Sequence, residues 1–230
     1  MPVPPGPKLL LVEGIDDLLV VAEVFEKATG TPWEPTKGQR LVEIEWCGSD
    51  DQVLTRLGVR WKESGRRIVG IVIDADLTGT RWAQVRAHAP AETRDRLPAE
   101  LPPGGLVLDV DGGRRFGVWI MPDNQSPGAM ENFLTQLRTS MPTALGEHVL
   151  SAMQRAQVLM REHADANPGL DPPLSPWLDV HAHKAEIHTW LAWQEPPGAR
   201  LHEAVRNRSL DPRAPLARSF VAWMKLLYDL

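Results

Sequence analysis

The chain has 230 residues, a formal net charge of −5 and a single cysteine, Cys47. This length accommodates one large domain, or a domain with a helical annex, and one cysteine excludes an internal disulfide. The acidic balance argues against a broad basic face for nucleic acid, although a carboxylate metal site lowers the net charge while its bound cation reverses the sign locally. No apolar run approaches the roughly 20 residues of a membrane span, and residues 1–7, MPVPPGP, show no charged or apolar signal-like stretch. A soluble, cytoplasmic protein without membrane contact is expected.

Residues 1–7 read as a flexible proline-rich lead-in that cannot pair as a central strand, so the fold is expected to begin at Lys8. The pattern then alternates: strand 8–12, helix 16–28, strand 39–46, helix 50–63, strand 67–74, helix 80–88. Strand and helix taking turns predicts an α/β fold with a mostly parallel sheet flanked by helices. Residues 90–105 are rich in proline and charge and read as a loop with at most one helical turn. Two strands at 106–110 and 115–121 follow, joined by Asp111-Gly112-Gly113, a hairpin signal. Pro122-Asp123-Asn124 breaks the second strand, and a helix at 129–138 carries Glu131 in its first turn. Beyond Thr143 the character is helical: 143–166, 180–193, 200–207 and 212–228, with proline-rich breaks at 168–176 and 195–198. The expected organisation is a catalytic domain at 8–140 and a C-terminal helical annex at 141–230 packed on it.

Two of the apolar runs end in carboxylates. Glu13 closes Leu9-Leu10-Leu11-Val12, and Asp74 and Asp76 close Ile71-Val72-Ile73 as Asp-Ala-Asp. Side chains two apart in a strand share a face, so Asp74 and Asp76 are expected to converge beyond the strand's carboxyl end, where open α/β sheets bind ligands. Three crowded carboxylates repel one another and call for a cation. Oxygen-only donors favour Mg²⁺ or Mn²⁺ over zinc. Helix capping also accounts for Asp16-Asp17 and for Ser49-Asp50-Asp51. His181-x-His183 has a spacing that can hold zinc, but no third ligand lies nearby and ordinary polar roles are expected. His181, Lys184 and His188 share one helical face by spacing. Trp190 and Trp193 fall on a stripe with Ile187, which points to burial between helices rather than base stacking. Arg200, Arg206, Arg208, Arg213 and Arg218 give the C-terminal part a basic bias, by default a solvated face.

Val12-Glu13-Gly14 after the first strand and Asp74-Ala75-Asp76 after a later one resemble the Toprim domain, the α/β catalytic unit of topoisomerases, primases, small maturases and the overcoming-lysogenization-defect nucleases. That resemblance implies a Toprim-like fold in which Glu13 is a general acid or base or a metal ligand, and Asp74 and Asp76 hold Mg²⁺. Gly117-Val118-Trp119-Ile120-Met121-Pro122-Asp123-Asn124, followed by Gly128, Glu131 and Phe133, looks like the Toprim-like DUF3226 family. So do Trp82, Lys184, Trp190-Leu191-Ala192-Trp193-Gln194 and Pro197-Gly198. The family is related in outline to the overcoming-lysogenization-defect group. The implied activity is a Mg²⁺-dependent nuclease acting on DNA or RNA within an antiphage or toxin-type system. A partner such as an ATPase, or a homodimer, is compatible with it. Asp123 or Glu131 would supply a second acidic cluster for a two-cation mechanism with metals about 4 Å apart. Lys184 would neutralise phosphate charge, and Asp17, Asn124 and His188 are the candidate substrate contacts.

Two other readings compete. Asp74-Ala75-Asp76-Leu77-Thr78 also fits the nucleophile loop of haloacid-dehalogenase-like phosphatases, with Asp74 phosphorylated. That loop ordinarily follows the first strand of its sheet, however, whereas here it follows the third. A non-catalytic or partner-dependent Toprim-like subunit is the other. Topoisomerase chemistry needs a nucleophilic tyrosine, and Tyr228, the only one, sits in the final helix.

Overall fold

The computed structural model describes residues 6–138, 143–169 and 176–230. The boundary expected at 140/141, most of the lead-in and part of the break at 168–176 lie outside the described residues. Five strands, β1 (Lys8–Val12), β2 (Glu43–Trp46), β3 (Ile68–Asp74), β4 (Leu106–Val110) and β5 (Arg114–Met121), form one sheet in the order β2-β1-β3-β5-β4. β2, β1, β3 and β5 run parallel, and β4 pairs antiparallel with β5 across the Asp111-Gly112-Gly113 turn. Both glycines take the left-handed conformation, φ 78° and 72°, that this turn demands. β1 after Lys8, β3 before Asp74 and the second half of β5 are buried, and they read as continuous rather than alternating apolar runs.

Alternate residues of these strands face two separate cores. Leu10, Val12, Val72, Trp119 and Met121 pack with Val20, Val21, Val24 and Phe25 of α1 (Ile15–Thr29). Leu9, Leu11, Val69, Ile71 and Ile73 pack with Val53, Leu54, Leu57 and Trp61 of α2 (Asp50–Trp61) and Val85 of α3 (Arg81–His88). α1 thus leads from β1 outward to β2 on one face, and α2 returns across β1 to β3 on the other. This reversal leaves a crevice between the carboxyl ends of β1 and β3, a topological switch point.

The C-terminal helices complete the first core. They are α4 (Met130–Gln136), α5 (Thr143–Ala166), α6 (Ala182–Ala192), α7 (Leu201–Arg206) and α8 (Pro215–Tyr228). α7 is joined to α1 by the Arg206–Glu23 ion pair at 2.7 Å. α8 lies directly on the sheet. Gly70 and Gly117 are register partners on β3 and β5, and together they leave a flat patch that Leu227 and Tyr228 occupy. A Cβ on Gly70 would stand 2.6 Å from Tyr228 Oη, and one on Gly117 would collide with the methyls of Leu227. Tyr228 is fully buried and donates to the Leu9 carbonyl at 2.8 Å, which removes it as a nucleophile. Phe220 packs against Trp119, Phe133 and Trp223 with ring centroids 5.2, 5.6 and 5.7 Å away.

Three expectations change in detail. β2 begins at Glu43 rather than at 39, because β1 offers it partners only from Leu9 to Val12. α8 begins at Pro215, where the missing proline N–H suits a first helical position. Of the aromatic stripe, Ile187 and Trp190 are buried but Trp193 is 50% exposed, because α6 ends one residue before it. Among the described residues, no helix is long and apolar enough to cross a membrane. Overpacking the glycine patch with Gly117→Ala should lower stability by about 1–3 kcal/mol, read from the urea midpoint at unchanged m-value.

A candidate acidic site at the carboxyl ends of β1 and β3

Glu13 immediately follows β1, and its Oε1 accepts the Asp74 backbone N–H at 2.8 Å, tying the two central strand ends together. Asp74 closes β3, and its Oδ1 accepts the N–H of Met130, the first residue of α4, at 3.0 Å. Asp17 sits in the first turn of α1 and accepts the Gly14 N–H at 2.6 Å. Glu131, in the first turn of α4, lies 3.7 Å from Lys184 Nζ and 3.7 Å from His183 Nε2, both on α6. Two cavities open on these groups. One, of about 310 Å³, is lined by Glu13, Asp17, Asp74, Glu131 and Lys184; the other, of about 500 Å³, by Glu13, Asp74, Asp76, His183 and Lys184.

Burial dominates the electrostatics. It pushes the Asp74 carboxyl well above the usual range, and the negative charges of Glu13, Asp17 and Glu131 push it further. Glu13 is raised by burial and then by Asp17 and Asp50, against the Asp74 N–H that favours its ionised form. Asp17 is pushed up to about 6 by burial, then by Glu131 and Asp16. Glu13 and Asp74 therefore hold their protons to higher pH than ordinary carboxyls do. Burial also lowers the His183 imidazole, against the attraction of Glu131.

The remaining candidates divide. Asp76 does not continue the strand: it takes the left-handed conformation, φ 55°, and exchanges backbone hydrogen bonds of 3.0 Å with Gly128. The strand period therefore ends at Asp74. The Asp76 carboxylate does not converge with that of Asp74 but rests on the Arg81 guanidinium. Asp123 closes a local turn, accepting the N–H groups of Gln125 and Ser126 and the Ser126 hydroxyl, and lines neither cavity. Asn124 is 7% exposed and uses both ends of its amide, accepting from Ile120 N–H and donating to the Pro103 carbonyl. It borders a neighbouring cavity of about 270 Å³ with Trp82 and Gln125. His188 is exposed on α6 and lines neither cavity around the carboxylates, whereas His183 lines the larger. Sequence reasoning therefore missed His183, Arg81 and Asp50. His183 enters only through the His181-x-His183 spacing and Asp50 only as a helix cap, while Arg81 leaves no trace.

Among the described residues, no three His, Cys, Asp or Glu side chains are already gathered around one point as a metal shell. The chemistry of the donors still suits a hard divalent cation: Glu13, Asp74 and Asp76 offer only carboxylate oxygen to one cavity. Their excess negative charge is what such an ion would neutralise.

Sheet and site together define an α/β protein with a buried acidic centre at its topological switch point. Residues 7–229 match the family described as "Protein of unknown function (DUF3226)", and the chain belongs to that family. No curated protein and no solved structure matches it.

The raised carboxyls make a signed prediction. Their folded-state pKa values lie above the ordinary 3.8 for aspartate and 4.5 for glutamate, so the folded chain keeps protons that the unfolded chain releases. Their contribution to stability is intact below the ordinary values and is lost as pH rises through the folded ones. In chelator, denaturant titrations between pH 5 and pH 8 should show this decline. Asp74→Asn, which keeps an acceptor for Met130, should flatten it and raise stability at pH 8 by about 0.5–2 kcal/mol.

Proposed function

We propose that this protein is a Mg²⁺- or Mn²⁺-dependent phosphodiesterase of the Toprim type that cleaves a nucleic acid, DNA or RNA. One observation carries the proposal: Glu13 and Asp74 end adjacent central strands at the switch point, joined by a 2.8 Å hydrogen bond and half-buried, with carboxyls that disfavour each other's ionisation. A glutamate after the first strand and an Asp-x-Asp after the third, on neighbouring strands, also support the Toprim reading.

Glu13, Asp74 and Asp76 would hold the cation in the larger cavity, and Glu131 rather than Asp123 is the further acid, lining the smaller cavity that shares Glu13 and Asp74. A bound divalent ion supplies Lewis acidity and a more acidic water. The chain's own residues do the rest. Glu13 lines both cavities and is placed to move a proton where it does not itself bind the ion. Lys184, 54% exposed at its side chain and 3.7 Å from Glu131 beside the smaller cavity, is placed to meet phosphate charge. Asp17 narrows the smaller cavity and adds to the negative field. A phosphatase that uses Asp74 as nucleophile draws less support, since that carboxylate is buried and bonded to the start of α4.

Incubation with plasmid, single-stranded DNA and total tRNA, each with Mg²⁺ or Mn²⁺, should yield cleavage that chelator abolishes. Glu13→Gln should reduce it by about 10²–10⁴-fold, and Lys184→Ala by about 10²-fold, mainly in kcat. No cleavage of any of these substrates counts against an autonomous nuclease. Hydrolysis of p-nitrophenyl phosphate that survives Glu13→Gln but not Asp74→Asn would replace the proposal with the phosphatase.

A further inference from the structure

One cation is built into the acidic site itself. Arg81 opens α3 with its side chain only 5% exposed. Its Nε donates to the Asp74 carbonyl at 2.7 Å and its Nη1 to Gln84 Oε1 at 2.9 Å. Its Nη2 reaches Asp50 Oδ2 at 2.7 Å and also the Asp76 carboxylate. The guanidinium thus ties the end of β3 to the start of α2 and to the loop carrying Asp76. Four of its five N–H groups are engaged, so it has little left to offer a phosphate. Arg81 acts through the carboxylates it holds and is a positioning residue.

Asp76 is arranged differently. Its backbone is pinned to Gly128 by two hydrogen bonds, while its carboxylate is 53% exposed and borders the cavity shared with Glu13 and Asp74. Rotation of the side chain alone can carry this carboxylate from Arg81 into the cavity, with no change in the chain path. Asp50 gives Arg81 a second partner. When Asp76 turns away, the buried guanidinium is not left without a counter-charge, which would be costly.

We propose that Arg81 is a resident counter-ion that competes with the divalent cation for Asp76 and so sets the metal affinity of the site. This rests on the metal-dependent reading above. A guanidinium and a metal ion repel each other at contact range in a poorly solvated pocket, so one carboxylate serves them in alternation.

The test is Mn²⁺ binding to the purified full chain, followed by the electron paramagnetic resonance signal of free Mn²⁺. Arg81→Gln should bind Mn²⁺ about tenfold more tightly than the wild type, because it frees the Asp76 carboxylate and removes a positive charge close to the ion. Its apparent melting temperature in chelator should fall. Asp76→Asn should weaken binding, and adding Arg81→Gln to it should tighten binding by less than Arg81→Gln does in the wild type. A folded Arg81→Gln protein with unchanged or weaker Mn²⁺ affinity overturns the competition. If Arg81→Gln does not fold, Arg81→Lys retains the charge but cannot span all three partners, and it should still tighten binding severalfold; unchanged or weaker binding there is equally adverse. Absence of Mn²⁺ binding by the wild type overturns the metal-dependent reading and this inference with it. Wild-type binding without tightening overturns only the competition.

Discussion

Everything at the candidate-site end of this molecule depends on β1 and β3 lying side by side with their connections leaving in opposite directions. α1 takes the chain to one face and α2 brings it back on the other, so no backbone fills the space above the two strand ends. Whatever side chains follow Val12 and Ile73 must project into that space. Here they are Glu13 and Asp74, and the hydrogen bond from the Asp74 N–H to Glu13 fixes their separation. The site is therefore a consequence of winding order rather than of any one loop.

The C-terminal helices are part of this arrangement rather than an addition to it. α8 presses Leu227 and Tyr228 onto the paired glycines of β3 and β5, and Tyr228 reaches the Leu9 carbonyl on β1. The two strands nearest the site and their neighbour are thereby held from behind. α6 packs in the same core and brings His183 and Lys184 to Glu131. The helical half thus supplies both support for the sheet and the positive wall of the acidic cavity. Burial removes solvent from Glu13 and Asp74, so the packing around the site also disfavours the ionised form of both carboxyls. Stability and binding capacity oppose each other at this one place.

The element pattern was open to reading because its signals are local. Apolar runs of strand length, Gly-Gly at the hairpin and proline at helix borders each act within a few residues. Glu13, Asp74, Asp17, Glu131 and Lys184 were accessible for the same reason: strand ends and first helical turns can be located from sequence, and a parallel sheet brings its carboxyl ends to one edge. Asp76 and His188 were harder. Placing Asp76 on the face of Asp74 assumed that the strand persists for two more residues, whereas the bridge to Gly128 turns the backbone left-handed at Asp76. Placing His188 in the site followed from its sharing a face with Lys184, whereas it stands one helical turn farther along α6 and lines neither cavity.

Sequence by itself determined the alternating α/β order, the hairpin, the helical C-terminal half and the acids at the ends of the first and third strands. These follow from periodicity and turn chemistry, which depend on neighbours along the chain. Tertiary structure alone decided that Arg81 lies among Asp50, Asp74 and Asp76, that His183 rather than His188 faces Glu131, and that Asp123 and Asn124 are occupied within their own loop. Those outcomes turn on side-chain direction and on contacts between segments up to about 50 residues apart. No local pattern encodes them, because the geometry that joins such segments exists only once the sheet has formed and the helices have packed against it.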